Sequence, residues 1–295
     1  MTLGEALRLI RAELAVAGID SATTEAELLL CHGLGIPRLQ LYAEPERPVA
    51  TRDVKWFRTL AKRRVLREPL AYILHRCEFC GIEFHLDRRV LIPRPETEYL
   101  VEKTAQCVRQ CSSWSTQVTV ADIGTGCGAI AVNLALAFPQ ARILATDISV
   151  PALQVARLNC HRHGVESRVE LLHGSLLTQL LNRVDVIVAN LPYITNSELQ
   201  ALDPQIQDFE PIVAIAGGED GLHTLRFLVA QAPEKLSPGG CMVLEIGQGQ
   251  AEALSDTVAA WSAQASIEFT EDLAGTKRVA CVRSLQNGPQ HTVAQ

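Results

Sequence analysis

Two short segments hold the side chains with the most chemistry to offer. The first is Asp122-Ile123-Gly124-Thr125-Gly126-Cys127-Gly128, read between a run of β-formers and a helix-forming stretch. Its glycines permit a tight turn and let a ligand approach the backbone closely. A glycine-rich loop alone is a weak signal, because phosphate binders and structural turns share it. Here an acid stands before the glycines, at a strand's end. A pyrophosphate on the following helix N-terminus would be ill served by that carboxylate. Asp122 suits a cationic group instead, such as the amino group of a methionine moiety. Asp147, ending the next strand, can accept hydrogen bonds from both hydroxyls of a ribose. An acid, G-x-G-x-G and a second strand-end acid point to S-adenosylmethionine rather than to a dinucleotide. The competing reading is a pair of turn residues in an ordinary α/β domain.

The second segment is Asn190-Leu191-Pro192-Tyr193-Ile194, at the end of a later strand. In an open α/β sheet, sites lie outside the carboxyl ends of the strands. An amide, a stiff proline backbone and an aromatic ring meet there. A planar amino group attached to a carbonyl or ring has two N–H donors and a delocalised, poorly nucleophilic lone pair. The Asn190 side-chain oxygen and the carbonyl around Leu191–Pro192 can accept both N–H bonds. Catalysis would then rest on orienting the nitrogen toward a methyl sulfonium, with the Tyr193 ring stacked over the planar group. Taken alone, the segment also reads as a proline loop with a capping asparagine.

These residues need a scaffold, and the sequence pattern supplies one. Residues 1–75 read as a small helical bundle: Leu3, Ala6, Leu7, Ile10 and Leu14 keep amphipathic spacing. Capping hydroxyls at 21–24 open a second helix, and a third covers Val54 to Val65. Residues 76–95 alternate polar and apolar through Phe79, Ile82, Phe84 and Leu86, which predicts a hairpin linking two domains. Pro93 and Pro95 stiffen the next stretch before a helix over 96–111. A polar loop is expected at 112–116. From 117 strands alternate with helices: strands at 118–123, 142–147, 169–172, 184–189, 240–246, 267–269 and 278–282, with helices at 129–137 and 151–163. This predicts a mostly parallel, Rossmann-like α/β sheet covered on both faces, in a domain spanning 96–285. A frayed tail is expected at 286–295.

The 295 residues carry 27 Lys and Arg against 33 Asp and Glu, a net charge of −6, and are 47% hydrophobic. That composition excludes a disordered or fibrous chain and a basic nucleic-acid coat. No apolar run is long enough to span a membrane, and the first residues do not read as a signal peptide, so a cytoplasmic protein is expected. Charge is uneven: residues 1–90 hold 14 basic and 12 acidic side chains. Arg52 to Arg76 alone holds eight basic and two acidic ones, read as a solvated helix face or a docking surface. Nine cysteines include one C-x-x-C, Cys77 and Cys80, without a second pair at zinc spacing. Cys107 and Cys111 lie one helical turn apart. Reduced thiols and no metal are expected.

The segments quoted above resemble the Asn-Pro-Pro-Tyr amino methyltransferases. More specifically, the chain resembles the HemK/PrmC family of peptide chain release factor N5-glutamine methyltransferases. Further matching pieces are Leu91-Ile92-Pro93-Arg94-Pro95-Glu96-Thr97-Glu98, Phe209-Glu210-Pro211, Gly217-Gly218-Glu219-Asp220-Gly221-Leu222, Leu244-Glu245-Ile246-Gly247 and Asp272-Leu273-Ala274-Gly275 with Arg278-Val279. The resemblance implies a seven-stranded S-adenosylmethionine-dependent methyltransferase fold. It implies methyl transfer from S-adenosylmethionine to the glutamine amide of the Gly-Gly-Gln motif in class I peptide chain release factors. Gly124 to Gly128 and Asp147 would bind the cofactor, Asn190 to Tyr193 the glutamine, with Asn190 also near the cofactor methyl. No metal is implied, and a monomer without direct nucleic-acid or membrane contact is expected. The helical domain would recognise the release factor.

Two positions depart from the family. Leu191 replaces the first proline, which leaves only Pro192 to fix φ and predicts a less stiff loop. Ser175 and Leu176 stand where the family often carries an acid beside the adenine. Ser175 can still hydrogen-bond and Leu176 can cover the ring, but the lost carboxylate predicts weaker cofactor binding. Rival readings are an adenine-N6 methyltransferase, which would need a base-flipping pocket and a basic groove, a ribosomal-protein glutamine methyltransferase, and a non-catalytic S-adenosylmethionine-binding protein.

Overall fold

The computed structural model describes residues 1–112, 117–261 and 265–284. Most of the polar loop expected at 112–116 and the tail expected at 286–295 lie outside the described residues. The chain divides into two compact units, one of Met1–Arg76 with Asp203–Phe209, the other of Cys77–Leu202 and the chain from Glu210 onward.

The first unit is helical: α1 (Leu3–Val16), α2 (Ala22–Leu34), α3 (Arg38–Ala43), α4 (Thr51–Val65) and α5 (Leu70–Leu74). Thr2 caps α1, exchanging hydrogen bonds with Glu5 in both directions. Gly35 ends α2 with φ +64, the left-handed geometry glycine adopts without strain. Leu3, Ile10, Leu14, Leu29, Leu30, Phe57 and Leu60 form its core. Half of the basic run is engaged inside this unit. Arg64 is buried and holds Glu25 through two nitrogens, and Arg63 holds Glu68 at 2.7 and 2.8 Å. Arg58 meets Glu13 at 3.5 Å, and Arg67 donates to the carbonyls of Ala17 and Gly18. Four of its eight cations thus bind helix to helix or close a turn.

The second unit opens with the hairpin strands β1 (Arg76–Phe79, its first residue in the other unit) and β2 (Ile82–His85), then α6 (Thr97–Cys111). The hairpin is anchored rather than a free linker. Asn159 accepts from the His85 N–H at 2.7 Å and donates back to the His85 carbonyl at 3.0 Å. There follow β3 (Thr119–Ile123), α7 (Ala129–Ala137), β4 (Arg142–Asp147), α8 (Val150–Arg162), β5 (Val169–His173), β6 (Val184–Ala189), β7 (Ile194–Thr195) and α9 (Asn196–Leu199). After α10 (Pro204–Gln207), in the helical unit, come β8 (Ala216–Gly218), α11 (His223–Lys235), β9 (Leu236–Glu245), α12 (Ala251–Trp261), β10 (Ala265–Glu271) and β11 (Lys277–Ser284).

The seven-stranded sheet runs β10-β11-β9-β6-β3-β4-β5. Strands β5, β4, β3, β6 and β9 are parallel, as the alternation of strands and helices predicts; β11 is antiparallel to both neighbours. A tight turn at Asp272–Thr276 joins β10 to β11, and a short turn can only pair strands antiparallel. From β3 the chain winds outward through β4 and β5, then returns to β6 on the other side. This reversal opens a crevice beyond the carboxyl ends of β3 and β6. Apolar β3 and β6 residues, among them Ala121, Ile123, Ile187 and Ala189, lie in the core beneath it. Among the described residues no helix is long and apolar enough to cross a membrane.

Candidate active site

A cavity of about 550 Å³ lies in that crevice, a volume typical of a small-molecule site. Gly124, Gly126, Asp147, Ser175, Leu176, Asn190, Leu191 and Pro192 all line it. Asp122, Thr125, Cys127, Gly128 and Tyr193 do not.

The glycine loop has a reason for each glycine it uses. Gly124, Gly126 and Gly128 have φ of +74, +57 and +83. A Cβ at Gly126 would meet nothing nearer than 4.0 Å, so that backbone faces open space. Asp122 is placed beneath the loop. Its carboxylate accepts from the Thr125 hydroxyl at 2.6 Å and the Ala131 N–H at 3.2 Å, and burial pushes it up to about 7. The expected direct pairing with a cationic ligand group is therefore replaced by a role in holding the turn, because the loop folds over the strand's end and encloses the acid. Cys127 is buried too, and burial pushes its thiol up to about 12.

Asp147 lines the cavity. One oxygen accepts from the Gly126 N–H at 2.9 Å and the other from the Ser149 N–H at 2.8 Å. Burial raises its pKa against the pull of these bonds. Each oxygen keeps lone pairs for a further donor, as a ribose diol needs. Ser149 also caps α8, accepting from Ala152. Ser175 and Leu176 follow β5, and Leu176 takes a left-handed φ of +49 that is rare for a branched residue.

At the other end, β6 delivers Asn190. Its Nδ2 donates to the Thr97 hydroxyl at 3.1 Å, which leaves Oδ1 as the atom available to accept. Thr97 begins α6 and is presented by the stiff Pro93-Arg94-Pro95 segment. Glu210, buried, accepts from Arg94 at 2.6 Å and from the Ile92 N–H at 3.3 Å, fixing that segment. Tyr193 donates its hydroxyl to Glu245 at 3.2 Å. Burial pushes Glu245 up to about 7, against hydrogen bonds from Thr97 and Tyr193. Asn190, Thr97, Glu245 and Tyr193 thus form one polar chain across β6, α6 and β9. The Tyr193 ring is set into this chain, not over the cavity. Its carbonyl accepts from Gln250 Nε2 at 2.9 Å, and a Cβ at Gly221 would fall 2.2 Å from that carbonyl. The glycine motif at 217–221 is therefore needed for close passage past Tyr193.

Leu191 is nearly fully buried in the main core beside Leu222 and Ile246, and its Cδ2 lies 3.0 Å from where a Gly124 Cβ would stand. This packing holds Leu191 in the place where the family carries its first proline.

Thr97, Glu245 and Gln250 were not legible as site residues from spacing. Membership in the quoted motifs marked Thr97 and Glu245, whereas Gln250 lies outside all of them. Replacing Thr97 with Val keeps its shape but leaves the Asn190 amide without its acceptor. We expect kcat to fall about tenfold to a hundredfold, the cost of one buried unpaired donor, with cofactor affinity nearly unchanged and Thr97→Ser restoring most of the rate. Steady-state kinetics with separate cofactor titration checks this.

The open backbone at Gly126, the Asp147 carboxylate and the apolar wall of Ile148 and Leu176 fit a nucleoside carrying a short polar chain, as S-adenosylmethionine does.

Comparison with known proteins agrees. Residues 5–74 match the family model described as the PrmC N-terminal domain, and 101–206 the methyltransferase small domain. A release factor glutamine methyltransferase of Geobacter sulfurreducens is 41% identical over 86% of this chain and 87% of its own. One of Moorella thermoacetica is 39% identical over 94% and 95%. Among solved structures, the hMettl16 catalytic domain in complex with MAT2A 3'UTR hairpin 6 superposes with a TM-score of 0.57 at 17% identity, covering 77% of this chain and 82% of that one, which shows the fold alone.

Proposed function

The chain belongs to the release factor glutamine methyltransferase family, and on that premise we propose that it methylates the side-chain amide nitrogen (N5) of the glutamine in the Gly-Gly-Gln motif of class I peptide chain release factors, using S-adenosylmethionine. The observation that carries this reading is the match to relatives so named along nearly the whole chain.

S-adenosylmethionine supplies a methyl group on a sulfonium whose leaving group is a neutral thioether and needs no acid. Asp147 would hold the cofactor through its ribose hydroxyls. The loop of Gly124, Thr125, Gly126, Cys127 and Gly128, braced by Asp122, would hold the cofactor's chain, and Ser175 and Leu176 would border its base. Asn190 Oδ1 and the carbonyl at Leu191–Pro192 each take one N–H of the glutamine amide. That pins the nitrogen's open face toward the methyl group. Pro192 fixes the carbonyl, and Tyr193, tied to Glu245, fixes the loop behind it. The work is orientation in a site whose polar groups are already in place.

Residues 1–75 recognise the factor in this proposal, 96–285 carry the chemistry, and 76–95 connect them along the chain. The protein acts as a monomer in the cytoplasm, on protein and not on nucleic acid, in keeping with its net charge of −6.

Incubation with methyl-labelled cofactor tests the reading. The acceptors are a class I release factor, the same factor with its Gly-Gly-Gln glutamine replaced, a ribosomal-protein preparation, and duplex DNA. Label should enter the intact factor alone. Label in DNA or ribosomal protein, or in nothing, sinks the proposal.

A further inference from the structure

Three of the nine cysteines converge, with a fourth one helical turn away, where reduced thiols and no metal were expected. Cys107 and Cys111 lie one turn apart on α6, and both are buried. Cys241 lies in β9 and Cys281 in β11. These strands pair antiparallel with Cys281 opposite Val243 and Arg283 opposite Cys241. The two cysteines are thus a diagonal pair on one face of the sheet, and α6 packs on both strands. The sulfurs of Cys107, Cys241 and Cys281 lie within 4.8 Å of one another, and those of Cys107 and Cys281 are 3.7 Å apart. The Cys111 sulfur is not one of this close trio; it lies 4.0 Å from the Asp185 carbonyl oxygen, one helical turn on from Cys107.

A cation stands beside them. Arg283 Nη2 lies 3.4 Å from the Cys107 sulfur and donates to Gln110 at 2.6 Å. Among the described residues Arg283 has no carboxylate at ion-pair distance. A half-buried guanidinium placed this way calls for negative charge, and thiolates are the groups at hand to provide it. Cysteines that merely fill a core do not call for a cation.

We propose that Cys107, Cys241 and Cys281, joined by Cys111 when its thiol turns from the Asp185 carbonyl toward them, form a tetrathiolate site for a structural zinc ion. Zinc bound to sulfur at about 2.3 Å in a tetrahedron separates its sulfurs by about 3.8 Å, which the Cys107–Cys281 pair already meets. On binding, four S–H groups release their protons to solvent as four Zn–S bonds form. The resulting charge of −2 is offset in part by Arg283. All four ligands are internal, so the site is closed and has no open position for chemistry. It would pin the C-terminal half of α6 to β9 and β11, while Thr97 at the start of the same helix serves the cavity. The proposal does not depend on the methyl-transfer reading, and its test reads metal rather than activity.

The full chain is purified in reductant, without chelator, from cells grown with zinc, and its metals are measured by mass spectrometry. About one zinc per chain is expected, released when a mercurial reagent blocks the thiols. Refolding with cobalt should give thiolate-to-cobalt charge-transfer absorption. Cys241→Ser and Cys281→Ser should each lower zinc content at least tenfold, whereas Cys77→Ser with Cys80→Ser should keep it at one. If the core variants fail to fold, the wild-type metal content and cobalt spectrum decide. A wild-type chain without metal and without the charge-transfer band overturns the site. So does a Cys107–Cys281 disulfide in the unreduced peptide map, or zinc that disappears with the Cys77 and Cys80 variant.

Discussion

Asn190→Ala is expected to lower kcat for methylation of the release factor by two to three orders of magnitude, the range seen when one preorganised group at a reacting centre is removed. Asn190 Oδ1 is the side-chain acceptor left at the cavity once Nδ2 is held by Thr97. Without it one glutamine N–H loses its partner, and the amide can rotate about the other. Orientation is the main service the protein renders to a poor nucleophile, so the loss appears in kcat more than in KM. Cofactor affinity should change by only a few-fold. Single-turnover transfer of labelled methyl, with cofactor binding followed by calorimetry, separates the two quantities. A variant with near-normal kcat would remove Asn190 from the reaction.

Asp147→Ala should do the reverse. Its carboxylate is placed to accept from two ribose hydroxyls while bound to Gly126 and Ser149. Hydrogen bonds to a charged acceptor contribute about 1.5–3 kcal/mol each, part of which solvent recovers. A rise in cofactor Kd of about a hundredfold, or roughly 2.7 kcal/mol, is the expected result. At saturating cofactor the variant should retain most of its kcat. The same change frees the Gly126 N–H, so a further loss in loop order adds to the effect. Calorimetric titration gives the answer, and an unchanged Kd would assign the ribose to another residue.

Much of the fold can be read from residue pattern. The parallel strands are short apolar runs ending in Asp122, Asp147 and Asn190, and their spacing places those ends on one sheet edge. The glycine loop and Asn190-Leu191-Pro192-Tyr193 stand out because few residue types tolerate their backbone. The region between Ile194 and Gly240 is less legible. Its helix α11 contains Pro233, and β7 and β8 are two and three residues long, too short to show a period. The burial of Asp122 is not legible either, since a strand-end acid reads alike whether the loop lies over it or beside it. Thr97, Glu245 and Gln250 act through partners about fifty to ninety positions away in the chain, and such contacts leave no local trace. The internal pairing of the Arg52–Arg76 run is hidden for the same reason: Glu25 and Glu13 belong to other helices.

Leu191 has a consequence for behaviour on warming. A loop stiffened by two prolines has rigidity built into its covalent rings, and keeps it for as long as the chain is intact. Here half of that rigidity is borrowed from the packing of one leucine among Leu222, Ile246 and the Gly124 turn. Packing within the main core is kept until the core itself opens, whereas a pyrrolidine ring keeps its shape even in the unfolded chain. The acceptors that orient the substrate amide are therefore tied to the main core, and methyl transfer is expected to be lost over the same temperature range as the sheet beneath it when activity and circular dichroism are followed in parallel.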